Sequence, residues 1–162
     1  MVPPSVNKGS KAMMMGLGRE PVRALLQEFD GDLPQGVSQP VVFLPGTLVV
    51  QGPSFAEERD LPQRLAESPA LAEWPVVVLV DDSRKATAGL KQFLWSLFTR
   101  FEPAADIHGA QTTVQRFHVG LTPPIVFDCR MKPWYPHILE VDAETKQKVD
   151  SRISRLIPAQ WR

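Results

Sequence analysis

Residues 76–101 read VVVLVDDSRKATAGLKQFLWSLFTRF, and the order of apolar and polar positions in this stretch decides the fold class. Val76-Val-Val-Leu-Val80 is apolar without alternation, the pattern of a parallel strand covered on both faces. Asp81-Asp82-Ser83 then supplies side-chain acceptors for the free amides at the start of a helix. Leu90, Phe93, Leu94, Leu97 and Phe98 recur at helical spacing. Strand, polar turn and helix together make half of a βαβ unit.

Working upstream, Pro40–Leu44 and Thr47–Val50 are short β-branched runs separated by Pro45-Gly46 and closed by Gly52-Pro53, which predicts two strands or a tight hairpin. Between Ser54 and Trp74 the chain is charged with leucines at intervals, and Asp60 followed by Pro62 reads as an N-cap and an early-turn proline of a short helix. From Glu20, Pro21 suits a first helical position, and Val22, Leu25, Leu26 and Phe29 predict an amphipathic helix ending near Gly31. Downstream, Thr112–Val119 alternates weakly and Ile125–Phe127 is apolar, so two more strands are expected. Asp142 then caps a last helix through Val149, Ile153 and Leu156, stopped by Pro158. The order α, β, α, β, α, β, β, α predicts an α/β fold: a single layered domain with a mixed, partly parallel sheet flanked by helices. Its expected span is 18–158, with a loose arm over 1–17 and a tail over 159–162.

With 18 basic and 18 acidic residues among 162, the chain has no broad field to draw it onto nucleic acid or an anionic membrane. Its apolar runs fall short of the roughly 20 residues of a membrane helix. Gly16 and Gly18 interrupt the apolar run Met13–Met15 at once, which removes a signal-peptide core. Cys129 is the only cysteine, so there is neither an internal disulfide nor a CxxC metal site. A cytoplasmic location is expected from these features.

Asp81 and Asp82 stand where open α/β sheets place ligands, at the carboxyl end of a strand. They read first as a helix cap and a solvated acid, with a metal or catalytic role as the alternative. His108, His118 and His137, even with Asp106, match no recognised ligand spacing and read as structural or surface histidines. Cys129, with no histidine beside it, reads as a buried, unreactive thiol. The aromatic run Phe93, Trp95, Phe98 and Phe101 lacks the basic groove of a base-stacking site and reads as core or interface packing. Nucleotide, hydrolase and zinc-protease motifs (GxGxxG, GxxxxGK[ST], GxSxG, HExxH) are absent.

Over residues 76–150 the chain resembles the C-terminal domain of the UbiD family of prenylated-FMN-dependent aromatic acid decarboxylases. The likeness is carried by Asp81-Asp82, Leu94-Trp95, Thr99-Arg100 and Pro103–Ile107, and by Asp128-Cys129-Arg130-Met131-Lys132-Pro133, which looks like the family's strand-end D-x-R-x-K-P. Leu48–Gly52 and Trp74-Pro75 resemble the stretch leading into that domain. The resemblance implies an enzyme whose larger N-terminal domain binds prenylated FMN, a divalent metal and potassium and carries the catalytic Arg and Glu residues, while the C-terminal domain covers the site and builds the oligomer. No counterpart of the Glu-Arg-Glu network is found here. Fold and assembly are therefore carried over, with no catalytic, cofactor-binding or metal residue.

The expected function is an accessory subunit of a split UbiD-type (de)carboxylase, supplying lid and oligomerisation domain, with prenylated FMN held by a separate flavin-domain subunit. A stand-alone assembly protein that kept the fold, and an independent small enzyme built on Asp81, Asp82, Arg100 or the histidines, are the alternatives. The resemblance implies a homo-oligomer, a flavin-domain partner, or both, while the balanced charge and short apolar runs favour neither nucleic acid nor membrane. Arg100 and Asp128, at the ends of a predicted helix and strand, are expected to join a charge-assisted network. Met13–Met15, Trp134-Tyr135 and Trp161 are the expected exposed apolar contacts.

Overall fold

A computed structural model describes residues 25–115, 118–136 and 141–156. Among the described residues five strands form the main sheet, in the spatial order Ser38–Leu44, Thr47–Gln51, Val76–Val80, Ile125–Asp128 and Ile107–His108. β1 (Ser38–Leu44) and β2 (Thr47–Gln51) make an antiparallel hairpin. Its turn needs a glycine: Gly46 has φ +76°, a conformation that a Cβ disfavours. β2 runs parallel to β3 (Val76–Val80), and β3 parallel to β7 (Ile125–Asp128). β4 (Ile107–His108) closes the other edge antiparallel to β7. This is the mixed, partly parallel sheet expected.

Because side chains alternate along a strand, β2 and β3 feed two cores. Leu48, Val50, Val77 and Leu79 face Leu61, Leu65, Leu71 and Trp74 on one side. Val49, Val78 and Val80 face Ala86 and Phe93 on the other. The apolar run without alternation at Val76–Val80 thus marks a strand covered on both faces. The helices that cover it are short: α1 (Leu61–Ala66), a 3-10 turn (Pro69–Leu71), α2 (Ser83–Ala86) and α3 (Leu90–Arg100).

Four local expectations change. Residues Leu25–Asp30 have no helix. The Leu26 carbonyl instead accepts from Gly46 N at 2.8 Å, and Phe29 packs on Trp74 with ring centroids 6.0 Å apart, so contact with the core overrides the local periodicity. Positions 20–24 of that predicted helix, like Met13–Met15, lie outside the described residues. The helix expected after Asp82 is two helices, broken over Thr87–Gly89, where the Thr87 hydroxyl donates to the Ser83 carbonyl at 2.7 Å, the type of side-chain bond that competes with a helix. Asp60 stands at the start of α1 with Pro62 in the first turn, but its side chain makes no cap bond; the carboxylate lies 3.5 Å from Arg64 instead. Thr112–Val119 is two strands, β5 (Thr112–Gln115) and β6 (His118–Leu121), paired as a separate hairpin.

By its internal contacts the chain divides into two compact units, Met1–Lys132 and Pro133–Arg162. In the second, Trp134 and Tyr135 meet edge to face at 6.0 Å. Its helix α4 (Ala143–Leu156) is capped as expected: the Asp142 carboxylate accepts from Thr145 N at 2.8 Å and from its hydroxyl at 2.7 Å. Among the described residues no helix is long and apolar enough to cross a membrane.

Candidate functional site

β3 and β7 are adjacent and parallel, with Leu79 opposite Asp128, so the segments that leave them emerge side by side at the carboxyl end of the sheet. There Asp128, at the end of β7, and Arg130 and Lys132, in the segment that follows it, stand two residues apart, all buried. Asp128 Oδ1 accepts from Arg130 Nε at 2.9 Å, and Oδ2 accepts from the terminal nitrogen Nη2 at 2.8 Å, a two-pronged ion pair. The other terminal nitrogen, Nη1, donates to the carbonyls of Pro53 at 3.1 Å, Ser54 at 3.4 Å and Glu58 at 2.9 Å. One guanidinium therefore ties the end of β7 to the loop that follows β2.

Lys132 makes a second tie. Its ammonium has three donors, and it meets the Asp128 carbonyl at 2.6 Å, the Arg100 carbonyl at 2.7 Å and the Asp106 carboxylate at 2.9 Å. Asp106 also accepts from Glu102 N at 2.7 Å, which fixes the turn after α3. Arg100 pairs with Asp81 at 2.9 Å, and the same Asp81 oxygen accepts from Met131 N at 2.9 Å. Arg100 and Asp128 thus belong to one network, as expected, but each has its own ion partner, and Lys132 joins them through their carbonyls. The ring of Phe55 lies 5.5 Å from the Arg130 guanidinium and 5.7 Å from the Lys132 ammonium, within cation–π range.

The four buried charges among the described residues, Asp106 and Asp128 against Arg130 and Lys132, cancel. Cancellation is what makes their burial tolerable, since a lone buried charge is very costly. No buried side-chain nitrogen or oxygen among the described residues lacks a hydrogen-bond partner. Chemically, the arrangement is a clamp that holds two loops onto one strand end.

The remaining candidates fall into place around it. Asp82 caps α2, accepting from Lys85 N at 2.9 Å. Cys129 is fully buried beneath α3, and burial pushes its thiol up to about 12, far from the thiolate a nucleophile needs. His108 is half-buried on β4, with Nδ1 3.3 Å from the Gln63 side-chain oxygen. The side chain of His118 and all of His137 lie outside the described residues. Of the aromatic run, Phe93 stacks on Phe43 at 4.4 Å and Phe101 meets Phe127 edge-on at 5.4 Å, while Trp95 and Phe98 are exposed.

Burial holds His108 below its ordinary value, against the nearby Asp128 and Asp106 carboxylates, which favour the charged ring. The unfolded chain then binds the proton more readily than the fold, so stability is full above the unfolded value of 6.5 and is lost as pH falls through it. Urea unfolding midpoints measured from about pH 7.5 to about pH 5.5 should decline, and His108→Gln should flatten that decline.

The fit of a metal can be judged from the same side chains. Among the described residues no group of three or more His, Cys, Asp and Glu side chains is placed to hold a metal ion. Asp81, Asp106 and Asp128 are each engaged by a cation and by at least one backbone amide. Among the described residues these side chains offer no open ligand set for a divalent metal, and no chemical step is assigned to them.

No family model matches the chain. Among curated proteins it is 39% identical over 152 residues to an uncharacterized protein of Chlamydia trachomatis serovar D, covering 94% of this chain and 26% of that protein. It is 37% identical over 155 residues to a Chlamydia pneumoniae protein named as a 4-hydroxybenzoate decarboxylase subunit, covering 96% of this chain and 26% of the relative. The chain therefore spans about a quarter of the length of the curated relatives it matches. Two solved structures of Sedimentibacter hydroxybenzoicus vanillic acid decarboxylase in an open form align over 69% and 70% of this chain and 27% of theirs, at 15% identity with TM-scores of 0.40 and 0.41. Likeness at that level carries no weight beside the sequence matches. The sequence matches, which run through nearly all of this chain, support a UbiD-type C-terminal domain.

Proposed function

We propose that this chain is an accessory subunit of a UbiD-type aromatic acid (de)carboxylase, acting as lid and assembly domain while a separate flavin-domain subunit holds prenylated FMN with its divalent metal and potassium. The observation that carries the reading is the match to a quarter of a protein named as a decarboxylase subunit. The saturated charge clamp supports it, because a site whose acids and bases are all committed to holding loops has nothing left for proton transfer. What the clamp supplies is a rigid strand end and two fixed loops, the properties a covering domain needs in order to present one surface reproducibly.

The purified chain is expected to be colourless after incubation with prenylated FMN and gel filtration, and to release no carbon dioxide from 4-hydroxybenzoate. Stoichiometric flavin absorbance retained on the chain would overturn the assignment.

A further inference from the structure

The side chain of Gln63 fixes the state of His108. Gln63, half-buried on α1, has its amide nitrogen 2.8 Å from a Glu67 carboxylate oxygen and 3.3 Å from the Gly109 carbonyl. Both of these partners only accept, so that end of the amide is the NH2 group and the other end the oxygen. The oxygen lies 3.3 Å from His108 Nδ1. An amide oxygen has nothing to donate, so the hydrogen between the two belongs to the imidazole. His108 is therefore the Nδ1–H tautomer, and a further proton enters at Nε2.

That proton meets a set of charges already in balance. Among the described residues the charged groups around His108 are Asp128, Arg130 and Lys132, from the end of β7 and the segment after it, and Asp106, from the turn before β4. On α1, Glu67 reaches the ring through the Gln63 amide, and Arg64 is paired with Glu58 and Asp60. Two buried acids already answer two buried bases, so a charged ring adds one positive charge without a counterpart.

The least costly relief is local. β4 is two residues long, lies at the edge of the sheet and pairs with β7 through Ile107 opposite Phe127 and His108 opposite Val126. A short edge of this kind opens for less free energy than the whole fold, and opening returns the ring to water. Asp106 immediately precedes β4 and its carbonyl accepts from Asp128 N at 2.9 Å, so the opening reaches the turn that Lys132 ties.

We infer that Gln63 and His108 form a pH-sensitive latch on β4: Gln63 is the positioning residue that keeps the hydrogen on Nδ1, and protonation at Nε2 releases the β4 edge while the rest of the sheet stays closed.

Two adjacent amides read the two sides of β7 separately. Asp128 N donates toward β4, to the Asp106 carbonyl, whereas Cys129 N donates to the Leu79 carbonyl of β3 at 2.8 Å. Hydrogen-exchange protection factors of the full chain, followed by NMR, are the first measurement. Between about pH 7.5 and about pH 5.5 the Asp128 amide should lose up to about 10-fold in protection, because the opened state gains a proton that the closed state binds less readily. In His108→Gln that loss should vanish. Asp128 should also be less protected than Cys129, and nearly insensitive to about 1 M urea, since opening β4 exposes little surface. An Asp128 amide that matches Cys129 in protection and in urea dependence would show that only global unfolding exposes the ring, and the latch would be gone. The second measurement is the imidazole nitrogen spectrum at about pH 7.5, with the His108 signals identified by their absence in His108→Gln. The wild type should carry its hydrogen on Nδ1, and Gln63→Leu should pass to the Nε2–H form and lower Asp128 protection by about 2–10-fold, the scale of one hydrogen bond. A wild-type ring with its hydrogen on Nε2 would overturn the role given to Gln63.

Discussion

Arg130→Met should lower the melting temperature by about 6–20 °C, because removing one partner of a buried ion pair costs about 3–5 kcal/mol, and each kcal/mol shifts a chain of this size by about 2–4 °C. Two losses combine. The Asp128 carboxylate, 1% exposed, is left buried without its guanidinium partner. The carbonyls of Pro53, Ser54 and Glu58 lose the donor that held them. Adding Asp128→Leu removes the stranded charge but leaves the three carbonyls, so the double variant should lie above the sum of the singles without returning to wild type. Thermal melts of the four proteins measure this coupling, and a shift below about 2 °C for Arg130→Met would show that the pair is not a clamp.

Lys132→Met should be comparably severe but open a different part of the molecule. Its loss strands the Asp106 carboxylate, 5% exposed, together with the carbonyls of Arg100 and Asp128; the expected cost is again about 3–5 kcal/mol. Hydrogen exchange distinguishes the two ties, because local opening follows the contacts removed. Amides between Phe101 and Asp106 should lose protection in Lys132→Met, while those between Ser54 and Glu58 should lose it in Arg130→Met. Equal loosening of both loops in each variant would mean that the network acts as one unit and not as two ties.

How much of this was legible in the sequence depends on the range of the interaction. Val76–Val80 was readable as a doubly covered strand because burial on both faces erases the alternation that any half-exposed strand must show. Asp82 and Asp142 were readable as caps because a cap is a contact over three residues. The segment at Leu25–Phe29 was not, because its apolar spacing suits a helix and a groove-filling extended chain equally, and only the distant Trp74 and Gly46 decide between them. The clamp lay between these cases. Asp128, Arg130 and Lys132 stand at intervals of two, which the sequence displays, but their partners Pro53, Glu58, Arg100 and Asp106 are remote. Trp95 and Phe98 of α3 were legible only as core or interface packing, for a related reason. A helix with apolar residues over a wide arc reads the same whether the fold covers all of that arc or half of it, and here the sheet covers only the side of Phe93 and Leu97.

Reconstitution tests the accessory role most directly. Decarboxylation of 4-hydroxybenzoate and related aromatic acids by a UbiD-type flavin-domain subunit loaded with prenylated FMN should be measured with and without this chain, and with the chain alone. An accessory role predicts no turnover by this chain alone, and turnover by the flavin subunit that rises when the chain is added and saturates at a fixed stoichiometry. Turnover by the chain alone, or a flavin subunit whose activity the chain leaves unchanged at every concentration, would contradict it.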